Sequence, residues 1–560
     1  MATDRVRRPV STSLRISPAR REILARTWPS AAAGVIAVVL LLALAWDAGG
    51  YFSSSYLAAG AVAFLTCAVL LAAGTPRYRI STPALVGLGA LAALTVWTAL
   101  SASWSVTPDT ALEDAQRNLV YLGLFGLGLV AAGSGRLARH FVWLILGAIV
   151  IVSLAALLSR LYPDLIETSS PLGPLTGYRL DYPLTYWNAL GALAAMGAVL
   201  GIGLAADTRA PAALRPLAAG GALIALTTMY LTFSRGAWMA LAVGIVVLVA
   251  LAVKRGSLLL SGGIVGLGMV LVVLRLEAYP ALTEDPSAEA GQEAAGAAAG
   301  PYLLLILAGV IAAQLVIATM HGSPAVTIAL RRVGRPLAIG LAAVAAVGFL
   351  VAYGIAGSKA EEHSAGAIDD AGRFVDRQWD DFLQPAGFAG TGSARLTTTR
   401  GTRSDVYRVA VDAFEAHPLR GDGSGAFEYR WMREREVSER TRDAHSLYLE
   451  TLGELGLIGV LFLLVFIGTL VWAAVRSRLR PGGLGRSASA AVAGACSVWA
   501  VHAAVDWDWQ MTALTGTALV LGATLYPYGQ KRRRRRSRGG ERQIWVPGDP
   551  KPTQAGPQAA

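Results

Sequence analysis

Cysteine is almost missing from the 560-residue chain, which has two, Cys67 and Cys496. Both fall inside apolar runs, so the sequence supports neither a disulfide framework nor a cysteine-ligated zinc site. A Walker phosphate loop, a dinucleotide-binding glycine pattern and a serine-nucleophile elbow in credible context are also absent. Charged residues make up only 15% of the chain, lysine is scarce, and the net charge of +12 gathers at the ends and in short loops. That distribution does not call for nucleic acid. No internal repeat is evident. The long run beginning near Ala31 has no persuasive cleavage site, so it reads as a retained span and not a removed signal.

What the chain has in quantity is apolar sequence: 54% hydrophobic residues and a mean hydropathy of +0.50. Runs of roughly 18 or more apolar residues are long enough to cross a bilayer. Fourteen spans are expected, near residues 31–46, 56–74, 83–101, 118–133, 140–159, 185–205, 215–232, 236–253, 257–275, 302–320, 336–355, 448–475, 487–505 and 510–527. The expected fold class is an all-α integral membrane protein, a polytopic helical bundle of about 14 transmembrane helices.

Arginine and lysine fall in alternate loops: Arg77 and Arg79, Arg136 and Arg139, Arg209 and Arg215, Lys254 and Arg255, Arg331 to Arg335, and Arg476 to Arg480. The opposite loops carry acids, as in Glu277 to Glu293. Positive charge collects on the cytoplasmic side, so both termini are expected there, in the inner (plasma) membrane. The chain then divides into a basic N-terminus (1–28), helices 1–11 (29–355), a large extracytoplasmic loop with short helices (356–447), helices 12–14 (448–528) and a disordered polybasic tail (529–560). The run Lys531 to Arg536 in that tail reads as an orientation signal, or as a patch for anionic lipid head groups.

Several polar residues break the apolar pattern on the outer side. Arg235, in Thr232-Phe233-Ser234-Arg235-Gly236, puts a cation against the membrane where positive charge is otherwise scarce. Arg403 stands just before a segment in which Ser404 is expected to cap a helix with Val406, Val409, Ala410, Ala413 and Phe414 on one face, ending before Pro418. Arg179 lies in the outer loop 161–184, and Trp187-Asn188 opens the next span. Guanidinium forks match phosphate oxygens and stay charged, so arginines at head-group level suit a lipid diphosphate. His445, where the large loop re-enters the membrane, has a side chain that can take a proton from an acceptor hydroxyl. Below it Gly453, Gly456 and Gly459 form a strip narrow enough for another helix to pack on. His417, before Pro418, reads as structural. Asp506-Trp507-Asp508, with His502 nearby, has the spacing of a metal-binding aspartate pair, or of a solvated turn with interfacial aromatics.

With these residues in place the chain resembles the O-antigen ligase/polymerase superfamily of bacterial membrane glycosyltransferases. His445-Ser446, nine residues, then Gly456-Leu457-Ile458-Gly459 fits the family's spacing, and His417 to Phe427 resembles its preceding Pro- and Gly-containing segment. Ser234-Arg235-Gly236 and Arg403 match, in order and topology, the family's two diphosphate-binding arginines. Asp506 resembles an acidic residue near the end of such chains. The resemblance runs over roughly residues 180 to 527, and its motifs lie between about 400 and 460.

The resemblance implies a GT-C-like helical fold and transfer of a glycan from an undecaprenyl-diphosphate carrier to an acceptor hydroxyl outside the membrane. It implies inversion at the anomeric carbon, with no metal and no nucleotide cofactor. By carry-over His445 is the base, Arg235 and Arg403 hold the diphosphate, and Arg179, Asn188 and Asp506 are further substrate-binding candidates. The partners it implies are the lipid-linked donor, an acceptor that is a glycan, lipid, protein or wall polymer, and membrane lipids. Two departures from the family are the count of fourteen spans and the Ala/Gly-rich insertion at 357–392. Ligase and polymerase share the donor and are not separated by sequence. A fourteen-helix transporter or an envelope-assembly scaffold stays open as an alternative of another class. A carrier is expected to show related halves and charged or broken helices near mid-membrane.

Overall fold

The computed structural model describes residues 18–73, 80–133, 135–166, 178–283, 289–320, 403–479 and 483–526. The expected span near 336–355, the insertion at 357–392 and the basic run Lys531 to Arg536 lie outside these residues. The described chain is all helical. Its helices are α1 (Pro18–Trp46), α2 (Ser53–Ala72), α3 (Thr82–Ser101), α4 (Pro108–Ala132), α5 (Gly135–Leu161), α6 (Trp187–Ala205), α7 (Leu214–Leu231) and α8 (Arg235–Leu251). They continue as α9 (Arg255–Leu276), α10 (Pro280–Thr283), α11 (Glu289–Met320), α12 (Arg403–Ala416), α13 (Phe427–Glu434), α14 (Leu447–Leu479), α15 (Arg486–His502) and α16 (Thr512–Ala523). Each expected span that falls on described residues coincides with one of them.

Ten of these helices are long and apolar enough to cross a membrane. The helices α8, α15 and α16 are shorter, at 17, 17 and 12 residues. Twelve residues rise only about 18 Å, against a hydrocarbon core of roughly 30 Å. All twelve residues of α16 are buried, so it is sheathed by protein and not by lipid.

The core is built around α6, whose residues Asn188 to Ala205 are all buried. A helix that is apolar on every side belongs in the interior, and α6 is flanked by α5, α7, α8 and α15. The peripheral helices α11 and α14 instead leave large side chains such as Leu304, Leu305, Leu461 and Val471 exposed, as a lipid-facing surface requires. Small residues set the close approaches. A Cβ placed on Gly244 of α8 would lie 2.4 Å from Val498 of α15, so only a glycine lets these two helices meet.

The connections segregate to two ends. At one end Trp46 donates to the Tyr182 hydroxyl (3.2 Å), Ser105 to the Ser424 carbonyl (2.9 Å) and Leu180 N to the Leu231 carbonyl (3.0 Å). At the other, Arg139 reaches the Leu484 carbonyl, Arg215 the Ala205 carbonyl (2.8 Å) and Lys254 the Thr208 hydroxyl. Among the described connections, those carrying Arg139, Arg209, Arg215 and Lys254 thus gather at the end opposite the one that holds Tyr182, Leu180 and Ser424.

Candidate functional site

The site lies at the end where α6, α8, α12, α14 and the α15–α16 connection converge. His445 immediately precedes α14. Leu447 N donates to the Ala503 carbonyl at 2.8 Å, which ties the start of α14 to the end of α15. Ser446 caps the helix by accepting from Leu449 N at 3.3 Å, and the Tyr407 hydroxyl of α12 donates to the His445 carbonyl at 3.3 Å. Between these anchors His445 sits at φ +49°, a left-handed conformation that costs a non-glycine residue free energy and persists only where its surroundings hold it. Its side chain is 24% exposed, and Nδ1 lies 3.4 Å from Asp506 Oδ1. That is ion-pairing distance, but not the alignment of a good hydrogen bond. With Nδ1 facing the carboxylate, Nε2 is the nitrogen left for an acceptor.

Asp506 is the hub. Its side chain is 1% exposed. Oδ1 accepts from the Tyr186 hydroxyl (2.6 Å) and from Trp507 N (3.0 Å). Oδ2 accepts from Asn188 Nδ2 (2.6 Å) and pairs with Arg403 Nη2 (3.2 Å). Asn188 also donates to the Tyr186 oxygen at 2.9 Å. Burial opposes ionisation of this carboxyl, but the His445 imidazole and the Arg403 guanidinium outweigh it and hold Asp506 well below the usual carboxylate range. Burial, followed by the adjacent Asp506 charge, pushes the Tyr186 phenol well above its ordinary value, so it stays a donor.

Arg235 opens α8 behind Ser234, whose hydroxyl accepts from Ala237 N at 3.3 Å. The next residue, Gly236, is packed so tightly on the α15–α16 connection that a Cβ there would meet His502 Nε2 at 3.1 Å and Val505 at 3.3 Å. The fold therefore brings the start of α8 against the segment that carries Asp506. Arg179 stacks over the Trp187 ring at 4.3 Å, next to Asn188.

The structure revises several expectations. Asp506 and Asp508 have different side-chain partners. Asp506 serves the cluster above, while Asp508 Oδ2 pairs with His502 Nδ1 at 2.7 Å, both side chains fully buried. Burial pushes the Asp508 carboxyl up, against the opposing effect of His502. Among the described residues no group of three or more His, Cys, Asp or Glu is placed to hold a metal ion. Asp506 and Asn188, expected as substrate-binding candidates, are both buried; Asp506 contacts His445 and Arg403, and Asn188 donates to Asp506 and Tyr186. Ser404 lies within α12, which begins at Arg403, while Val406, Val409, Ala410 and Ala413 are buried as the pattern predicts. His417 pairs with Asp422 at 2.7 Å and so holds its own loop. Tyr186 was not singled out from sequence. A lone tyrosine before a span gives no signal of its partner 320 residues away.

The glycine strip differs most. Gly453 does admit a helix, since a Cβ there would lie 2.8 Å from the Ala410 carbonyl oxygen of α12. Gly456, however, breaks α14 at φ +63°, ψ −165°. The loop 417–427 fills the break: Leu457 N donates to the Pro418 carbonyl (2.9 Å), Ile458 N to Leu419 (3.3 Å), Asp422 N to Gly453 (3.0 Å) and Gly423 N to Glu454 (2.8 Å). Trp97 Nε1 takes the Leu455 carbonyl at 2.9 Å. Irregular backbone within a membrane helix is tolerated only where protein satisfies the freed groups, and here one short loop and one indole do so.

The fold and its segregated loops define a polytopic helical membrane protein. Residues 294–464 match the family model described as O-antigen ligase. The matched stretch includes Arg403, His445 and Gly456. Arg235, Tyr186 and Asp506 lie outside it and reach the site through the fold. No curated protein sequence matches the chain. The matched stretch is similar to that family, and the activity which the likeness implies is a proposal.

Proposed function

We propose that the protein transfers a glycan from an undecaprenyl-diphosphate donor to an acceptor hydroxyl at the extracytoplasmic face, with both termini in the cytoplasm. The observation that carries this reading is Asp506, which joins the His445 imidazole to the Arg403 guanidinium through one buried carboxylate. A base and an anion-binding cation are thereby fixed relative to each other, as a displacement at an anomeric carbon requires. The acceptor oxygen forms the new bond to the anomeric carbon, the bond from that carbon to the diphosphate oxygen breaks, and the acceptor proton passes to His445 Nε2. Charge develops on the departing diphosphate, where Arg403 and Arg235 meet it. The acid–base and cationic groups gather at one end of the bundle, which suits an enzyme at the membrane surface better than a carrier with a mid-membrane site.

The test is turnover by the full-length protein in lipid nanodiscs, supplied with undecaprenyl-diphosphate-linked glycan from its native membranes. Release of undecaprenyl diphosphate is expected, with loss of at least about 100-fold on His445→Ala, as for removal of a general base. Full turnover by His445→Ala together with Arg403→Ala and Arg235→Ala would overturn the assignment.

A further inference from the structure

The end of the bundle opposite His445 carries a cluster of arginines that the transfer chemistry does not use. Three segments meet there at Gly485, which precedes α15. A Cβ placed on Gly485 would lie 3.1 Å from Arg209 Nη1 and 3.2 Å from Arg139 Nη2, so two guanidinium groups close on one point, from the α6–α7 connection and from α5. Arg139 Nη2 donates to the Leu484 carbonyl at 3.4 Å, and Lys254 donates to the hydroxyl of Thr208, the neighbour of Arg209. Arg486 follows Gly485 as the first residue of α15. The Nε atoms of Arg139 and Arg486 are buried and have no hydrogen-bond partner among the described residues.

Like charges this close repel each other unless an anion stands between them. Among the described residues no carboxylate pairs with the side chain of Arg139, Arg209 or Arg486. Asp207, the acid of the α6–α7 connection, accepts with Oδ1 from the Arg209 backbone N at 3.1 Å. Gly485 gives α15 no side-chain cap, so the amides of its first turn add donors without an intrahelical partner. Depth is set by α5: Arg139 lies in the first turn of the membrane span Leu137–Leu161, which puts its guanidinium at head-group level. The span α14 ends shortly before Gly485 with Val475 and Leu479 exposed, as lipid contact requires.

We propose that Arg139, Arg209 and Arg486, with the first turn of α15, bind the phosphate of an anionic glycerophospholipid. Guanidinium forks match phosphate oxygens, and basic pockets between membrane helices take anionic head groups. A soluble phosphate offers the same oxygens, but the depth of Arg139 and the apolar side chains that end α14 favour a lipid. A zwitterionic head group brings its own cation to the cluster and matches it less well. The site is independent of the transfer chemistry, since α15 puts about 25 Å of helix between Gly485 and the connection that carries Asp506.

Isothermal titration of the full-length protein in detergent tests the site with three probes: dioctanoyl phosphatidylglycerol, dioctanoyl phosphatidylcholine and glycerol 1-phosphate. Phosphatidylglycerol is expected to bind about tenfold more tightly than either of the others. Arg209→Gln removes an exposed side chain with no described hydrogen bond, so the fold is kept; it is expected to weaken phosphatidylglycerol about fivefold. Arg139→Gln together with Arg209→Gln is expected to weaken it about 25-fold. Arg433→Gln with Arg440→Gln, an equal loss of charge at the other end, should leave the affinity unchanged. Equal binding of phosphatidylglycerol and phosphatidylcholine, or unaltered affinity in Arg209→Gln, overturns the site. An equal loss in the two double variants reduces the effect to net charge and overturns it as well. Glycerol 1-phosphate binding as tightly as phosphatidylglycerol assigns the cluster to a soluble phosphate and overturns the lipid.

Discussion

Asp506 holds its charge where burial works against it, because four other side chains converge on it. Removing it strands two buried donors, Tyr186 and Asn188, and a third-exposed Arg403 whose pairing is partly screened. A buried donor left unmet costs about 1–3 kcal/mol. Asp506→Ala is therefore expected to lower the melting temperature of the detergent-solubilised protein. Its turnover should fall about 100-fold, the kinetic equivalent of roughly 2.7 kcal/mol; wild-type turnover with a wild-type melt would refute the hub.

The same residues set the pH response. Asp506 is depressed below the ordinary carboxyl value of about 3.9, so its contribution is present above that value and is lost only as pH falls through the depressed one. Asp443 behaves oppositely. Burial pushes it up to about 6 despite the opposing charges of His445 and Arg442, with Asp114 adding to the rise and Arg117 opposing it. Its contribution to stability is present in full below the ordinary value and lost as pH rises through about 6. Asp443→Asn, which removes that titration, is expected to flatten the fall in melting temperature between about pH 4 and about pH 7. A melting profile identical to wild type across that window would count against the raised Asp443 carboxyl.

Among the elements, α14 shows how a sequence motif becomes geometry. The spacing between His445 and the two later glycines reads as a packing strip, but Gly456 takes a backbone conformation that is essentially glycine-only. A Cβ there would lie 2.4 Å from the Leu419 carbonyl group. The kink lets the loop 417–427 dock beneath His445 and pins that loop to Ser101 and Ser105 at the end of α3. Gly456→Ala is expected to cost about 1–3 kcal/mol and to reduce transfer, measured by melting and by donor turnover. Gly468 lies on the same helix with nothing near its Cβ position, so Gly468→Ala should leave both unchanged. Equal effects of the two substitutions would mean the kink plays no part.

At the scale of the whole molecule, the alternation of basic and acidic loops and the gathering of the described basic connections at one end have one cause, since a helix crossing a bilayer sends successive loops to opposite sides. With the site end outward, Phe52→Cys should react with a membrane-impermeant maleimide on intact cells. Arg209→Cys, at the other end, should react only after permeabilisation. The reverse pattern would invert the orientation and remove the site from the extracytoplasmic face.

The sequence by itself determined the helices, because apolar runs in a bilayer have no other way to satisfy their backbone. It also marked His445, Arg403 and Arg235, since a charge or an imidazole at a membrane boundary stands out against apolar neighbours. Their assembly was decided by the tertiary structure. Asp506 becomes a hub only when α6, α12 and the α15–α16 connection bring Tyr186, Asn188, Arg403 and His445 to one carboxylate. Gly456 becomes a kink only when the loop 417–427 supplies the hydrogen bonds that the helix gives up. Both depend on partners distant in the chain, which hydropathy and motif spacing do not encode. Packing in three dimensions sets which polar groups meet, and so which of them stay charged.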